Sequence, residues 1–167
     1  MAHHLESLPS HWSSSLPELF DTATMPPDDR LRLLRDAMGS GAVPVEIQHH
    51  VGPDEVSARG AGRRLGRLSI LTVTTTPLTL RRTVRLARAD PEPSIVVELQ
   101  LAGRRSVAQY NRRTVLSPGD LILLDCRRPY LSTSLEGNNQ HSVRIPRADL
   151  AQPGDAGIRS RISRRRT

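Results

Sequence analysis

Leu116-Ser117-Pro118-Gly119-Asp120 runs directly into Leu121-Ile122-Leu123-Leu124-Asp125, followed by Arg128-Pro129-Tyr130 and, later, Arg144-Ile145-Pro146-Arg147. Pro presets φ for a turn, Gly accepts positive φ, and Asp bonds back to the backbone, so 118–120 predict a tight turn between two strands. Leu121 to Leu124 is apolar on both faces, as in a strand enclosed between layers. Upstream, Ile95, Val97, Leu99 and Leu101 alternate with Ser94, Glu98 and Gln100, the strongest period-two signal in the chain. Ala102-Gly103-Arg104 and Asn111-Arg112 predict turns around a strand at Val107 to Tyr110. Glu136-Gly137-Asn138-Asn139 predicts a polar hairpin tip before a last strand containing Val143 and Ile145.

Further outward the signals weaken. Leu68 to Thr76 is rich in β-branched residues and predicts a strand, ended by Pro77. Val43 to Ile47 alternates. Leu80, Val84 and Leu86 read as one strand face, and Gly60 to Gly66 as a turning link. Pro26 to Met38 predicts a helix: prolines in its first turn, Asp28 and Asp29 at the positive dipole end, Gly39 as a stop. Leu31, Leu34 and Met38 share one face, leaving Arg30, Arg32 and Arg35 to water. The expected organisation is an arm over 1–25, one β domain over 26–150 and a disordered Arg-rich tail over 151–167. Short strands with frequent Gly, Pro and Asn turns predict a mainly β fold, an antiparallel sandwich or jelly roll with one packing helix.

Composition narrows the function. Aromatic content is 2%, with Trp12, Phe20, Tyr110 and Tyr130 as the large rings, so the core is aliphatic. All 24 basic residues are Arg and the net charge is +7. Arg159, Arg161, Arg164, Arg165 and Arg166 crowd the last residues, and setting these five aside leaves +2. The body therefore carries no basic nucleic-acid surface, and the charge asymmetry lies in the tail. Those five arginines are the candidates for nonspecific phosphate contact. The single Cys126 has no partner for a disulfide and reads as a buried small hydrophobe. No apolar run approaches the ~20 residues of a membrane span, and the N-terminus does not read as a signal peptide; a soluble cytoplasmic chain is the expectation.

The Pro118-Gly119-Asp120 turn, Asp125, Pro129-Tyr130 and Ile145-Pro146-Arg147 resemble the cupin-like sensor domain of AraC/XylS-type transcription regulators. The helix leading into Val43-Pro44-Val45, Leu65-Gly66-Arg67-Leu68, Arg82-Thr83 and Ile95 to Leu101 with Gly103 extend the resemblance over roughly 26–150. It implies a cupin-like jelly roll that binds a small-molecule effector and dimerises, with itself or with a full-length relative. In such regulators a DNA-binding module with two helix-turn-helix units follows; seventeen residues, 151–167, follow here, so the expectation is a regulator truncated before that module and without sequence-specific DNA binding.

Enzymatic readings find little footing. The alternative class, a small metal-dependent cupin-type enzyme, needs several His and a carboxylate on facing strands. His3, His4 and His11 lie in the expected arm, His49 and His50 point to opposite faces, and His141 alone falls on a core strand. Neither a Gly-x-Ser-x-Gly elbow nor a P-loop occurs. The sequence thus predicts no catalytic residue, no metal site and no cofactor. Thr72, Thr74, Arg81, Gln100, Gln109 and Tyr130 are the polar groups on or beside strands that are candidates to orient an effector, with the facing of each left open.

Overall fold

Period-two strands with turn residues between them must pair along their lengths, and they do so in two antiparallel sheets. A computed structural model describes residues 16–40, 43–150 and 162–163. Its strands are β1 (Glu18–Asp21), β2 (Glu46–His49), β3 (Ala58–Leu65), β4 (Leu68–Thr75), β5 (Leu78–Arg82) and β6 (Ser94–Ala102). Then come β7 (Arg105–Gln109), β8 (Arg112–Leu116), β9 (Leu121–Asp125), β10 (Tyr130–Ser134), β11 (Asn138–Pro146) and β12 (Ile162–Ser163). One sheet has the order β1-β3-β4-β11-β6-β9-β12, the other β2-β5-β10-β7-β8. Helices are α1 (Pro27–Ser40) and α2 (Val84–Ala89). No helix among the described residues is long and apolar enough to cross a membrane.

The turn that decides the fold forms as its residues dictate. Gly119 takes φ 91, and the Asp120 carboxylate accepts from Ser117 N at 2.9 Å. Gly119 N also donates to Gln100 O at 2.8 Å and Gln100 N to Asp120 O at 2.9 Å, locking the turn onto β6. β9 then pairs with β6 from Leu99↔Leu121 to Ile95↔Asp125. Val43, Val96, Val107, Leu116, Ile122, Leu124 and Cys126 form the main core cluster, with Tyr130 against it. This core is aliphatic, as composition requires.

Several local expectations change. Of the expected 60–66 link, 60–65 belong to strand β3, where Gly60 and Gly62 serve close approach: a Cβ on Gly60 would sit 2.3 Å from the Phe20 ring. Gly66 does turn the chain, with φ 61, into β4. Phe20 belongs to β1, which pairs with β3, so residues 18–21 of the expected arm are an edge strand. Val84 and Leu86 lie on helix α2, not a strand, since Thr83 caps it by accepting from Leu86 N at 3.2 Å. Arg30 does not simply face water. It donates to the carbonyls of Met25, Asp54 and Val56 and pins α1 to the loop before β3. In the tail, Ile162–Ser163 pair with β9; Arg159, Arg161, Arg164, Arg165 and Arg166 lie outside the described residues.

Two buried polar hubs hold the strand ends. Arg82 donates from Nε to Cys126 O, from Nη1 to Pro44 O and from Nη2 to Asp90 Oδ2, each at 2.7 Å. Asp125 accepts from the Arg127 backbone and guanidinium, from the Tyr110 hydroxyl at 3.0 Å and from Arg147. Gln109 braces its backbone in both directions. Burial opposes ionisation of Asp125, but the Arg127 and Tyr110 hydrogen bonds outweigh it and hold the carboxyl below its ordinary value of 3.8. A depressed carboxyl stabilises the fold above its unfolded pKa, and that stability is lost as pH falls through the lower folded value. Thermal unfolding should therefore show a stability loss below about pH 4. Asp125→Asn should be less stable at pH 7 and show a shallower acid limb; an unchanged acid limb would remove this role.

Candidate functional site

A cavity of ≈ 90 Å³ lies between the sheets. Its apolar lining includes Leu71 and Val73 of β4, Ile47 of β2, Leu78 and Leu80 of β5 and Val96 of β6. Phe20 of β1 and Leu34 of α1 also line it, and Leu34 is anchored in a second core cluster with Val56 and Ala58. The packing helix thus covers the cavity.

The polar lining decides the chemistry. A half-buried strand ordinarily turns its apolar residues inward; β6 does the reverse at its far end. Ser94, Val96, Glu98 and Gln100 are buried, while Val97, Leu99 and Leu101 are only partly covered. Hydrogen bonding makes this tolerable. Gln100 Nε2 donates to Asn138 Oδ1 at 2.7 Å, Asn138 Nδ2 to Gln140 Oε1 at 2.9 Å, and Gln140 Nε2 to Glu98 Oε1 at 3.2 Å. Each amide in this relay passes its donor toward Glu98, which ends it as an acceptor. From the opposite sheet, Arg105 of β7 places Nη2 2.7 Å from Glu98 Oε2, with side-chain exposures of 3% and 10%. The contact is close but off-line, leaving Arg105 Nε and Nη2 and Glu98 Oε2 without a well-directed hydrogen bond. Arg105 Nη1 reaches Ser132 Oγ at 3.4 Å.

Tyr130 enters the same cavity from β10. Burial first, then the neighbouring Cys126 and Glu98, push its pKa upward, so its phenol remains a neutral O–H group. Cys126 packs fully buried in the main core cluster, and burial pushes its thiol up to about 12, which makes it a poor nucleophile.

Of the polar candidates read from the sequence, Gln100 joins the buried relay and Tyr130 lines the cavity. Gln109 is buried but spent on Asp125. Arg81 lies on the outer face of the five-stranded sheet, where a shallow concavity also takes in Thr79, Thr133 and Arg113. Thr72 and Thr74 alternate with cavity-lining Leu71, Val73 and Thr75, so they face outward. His141 stands beside Thr72, with Nδ1 2.7 Å from its hydroxyl, and burial lowers its pKa. Among the described residues no group of three or more His, Cys, Asp or Glu is placed to hold a metal ion. Sequence reasoning missed Glu98, Arg105, Asn138 and Gln140 as site residues; the one available signal was the regular polar spacing at 98 and 100.

Removing one partner of a buried ion pair strands the other. Glu98→Ala should cost about 3–5 kcal/mol in urea unfolding, whereas a surface pair such as Arg32–Asp29 should contribute within about 1 kcal/mol. A Glu98→Ala cost below about 1 kcal/mol would mean that Arg105 reaches water.

The AraC-binding-like domain profile matches residues 34–166. The transcriptional activator NphR of a Rhodococcus species is 33% identical over 93 residues, which are 56% of this chain and 28% of that activator. The crystal structure of the AraC-like transcriptional activator CuxR superposes with a TM-score of 0.66 at 23% identity, covering 77% of this chain and 47% of CuxR. This chain therefore spans less than half the length of both relatives. The mainly β antiparallel sandwich expected from the turns is the fold observed, and the matched residues run from within α1 through the sheets that enclose the cavity. The chain belongs to the AraC-binding-like domain family.

Proposed function

We propose that this chain is the effector-sensing and dimerisation portion of an AraC-type transcription regulator and that the cavity between the sheets receives the effector. The observation that carries the reading is the inward-facing polar row of β6. Burying Glu98 and Gln100 costs desolvation that an aliphatic core would avoid, and mostly apolar walls with a few convergent polar groups are the ordinary form of a small-molecule site. Effector binding acts on output only through its differential affinity for two states of the protein.

The test is a thermal-shift screen of small molecules against the wild-type chain and Ser142→Leu. Ser142 lines the cavity from β11, and leucine there fills it. A ligand at 100 times its Kd adds about 2.7 kcal/mol, on the order of 5–10 °C for a chain this size. Hits should stabilise wild type and leave Ser142→Leu unchanged; hits that stabilise both equally place the effector elsewhere. Sedimentation of the same preparation bears on dimerisation: a monomer at tens of micromolar, with and without hits, removes that part.

Reading of DNA bases is not assigned to the β domain. Duplex affinity should come from Arg159, Arg161, Arg164, Arg165 and Arg166, with a log–log salt slope of about 0.9 per neutralised phosphate. Deleting 159–167 should abolish it. A preference for promoter over scrambled duplex that survives the deletion would contradict the assignment.

A further inference from the structure

The polar end of the cavity restricts what fits there. Glu98 and Arg105 already neutralise each other at 2.7 Å. A buried anion would meet the Glu98 carboxylate, and a buried cation the Arg105 guanidinium, without a second counter-charge. Asn138 and Gln140 hold one another in the relay toward Glu98. Glu98 is left as an acceptor with spare lone pairs, and Tyr130, which makes no hydrogen bond through its hydroxyl among the described residues, supplies an O–H. A hydroxyl both donates and accepts, so one such group satisfies both. Size is limited as well: ≈ 90 Å³ falls below the ~150 Å³ void that takes benzene and well above the ~10–15 Å³ of one water.

Resting on the effector-site reading above, we propose that the cavity takes a small uncharged alcohol of about four non-hydrogen atoms, scaled from benzene in its ~150 Å³ void. Its hydroxyl donates to Glu98 and accepts from Tyr130, and its hydrocarbon part lies against Leu71, Val73 and Val96.

Four probes matched in non-hydrogen atoms test this on the full chain by NMR titration: propan-1-ol, propan-1-amine, acetate and the isosteric hydrocarbon butane. The alcohol should bind at least about tenfold more tightly than the ammonium or the carboxylate, given the cost of burying a charge. Tyr130→Phe should weaken the alcohol about 2- to 10-fold, the worth of one hydrogen bond, and leave the hydrocarbon unchanged or tighter. Glu98→Gln, which preserves side-chain size, should also weaken the alcohol. The ammonium, carboxylate or hydrocarbon binding as tightly as the alcohol, with binding lost in Ser142→Leu, overturns the alcohol assignment and leaves the effector site standing. Saturable shifts that persist in Ser142→Leu, or none with any probe, overturn both.

Discussion

Two charges meet where a hydrophobic core would ordinarily lie. Glu98 comes from the seven-stranded sheet and Arg105 from the five-stranded one, and their 2.7 Å contact joins the layers across the interior. Taking both charges out of water costs several kcal/mol each, which their mutual attraction repays only with good geometry and further hydrogen bonds. The relay of Gln100, Asn138 and Gln140 meets that requirement on one side. On the other, Arg105 keeps donors that are not well directed. The surrounding structure is arranged so that this polar interior stays open. Arg82 and Asp125 tie the strand ends together with buried hydrogen bonds, and Leu34 of the packing helix covers the cavity.

The fold was legible in the sequence because turn chemistry is local. Ser117-Pro118-Gly119-Asp120 needs only its own backbone and the Asp120 carboxylate to form, and its pairing with Gln100 follows from the adjacent strands. The strands at 68–75, 94–102 and 121–125 came from composition and alternation for the same reason. What escaped depended on distant partners. Gly60 and Gly62 look like a turn until Phe20 and Leu19 of another strand are seen lying over them. Helix α2 escaped for a local reason instead: Thr83 caps it through Leu86 N, three residues on, while the apolar spacing at 80, 84 and 86 also suits a strand.

Much of the candidate site was hidden for a deeper reason. The strongest alternation in the chain, 94–101, carries its apolar residues on one face and Ser94, Glu98 and Gln100 on the other. The general rule assigns the polar face to solvent. Here Glu98 has a cation waiting on the opposite sheet, supplied by Arg105 at the start of the very next strand once the chain has crossed between the layers, and Gln100 has an acceptor in Asn138, from a strand far away in sequence. Inversion of that rule is the mark of the site, and only tertiary pairing reveals it. Tyr130 was legible as a polar group beside a strand, and the Pro129-Tyr130 corner places it; its facing was not.

If the buried pair is kept for recognition and not for folding, an apolar replacement of both partners should fold at least as well. The direct measurement is urea unfolding of the double variant Glu98→Leu with Arg105→Met beside each single variant. The double variant should lie within about 1 kcal/mol of wild type, or be more stable by up to about 4 kcal/mol, with both single variants below it and the ligand response gone. A double variant several kcal/mol less stable than wild type, no better than the worse single, would show that the charges hold the fold together and would contradict the claim that the interior is polar for the sake of a ligand.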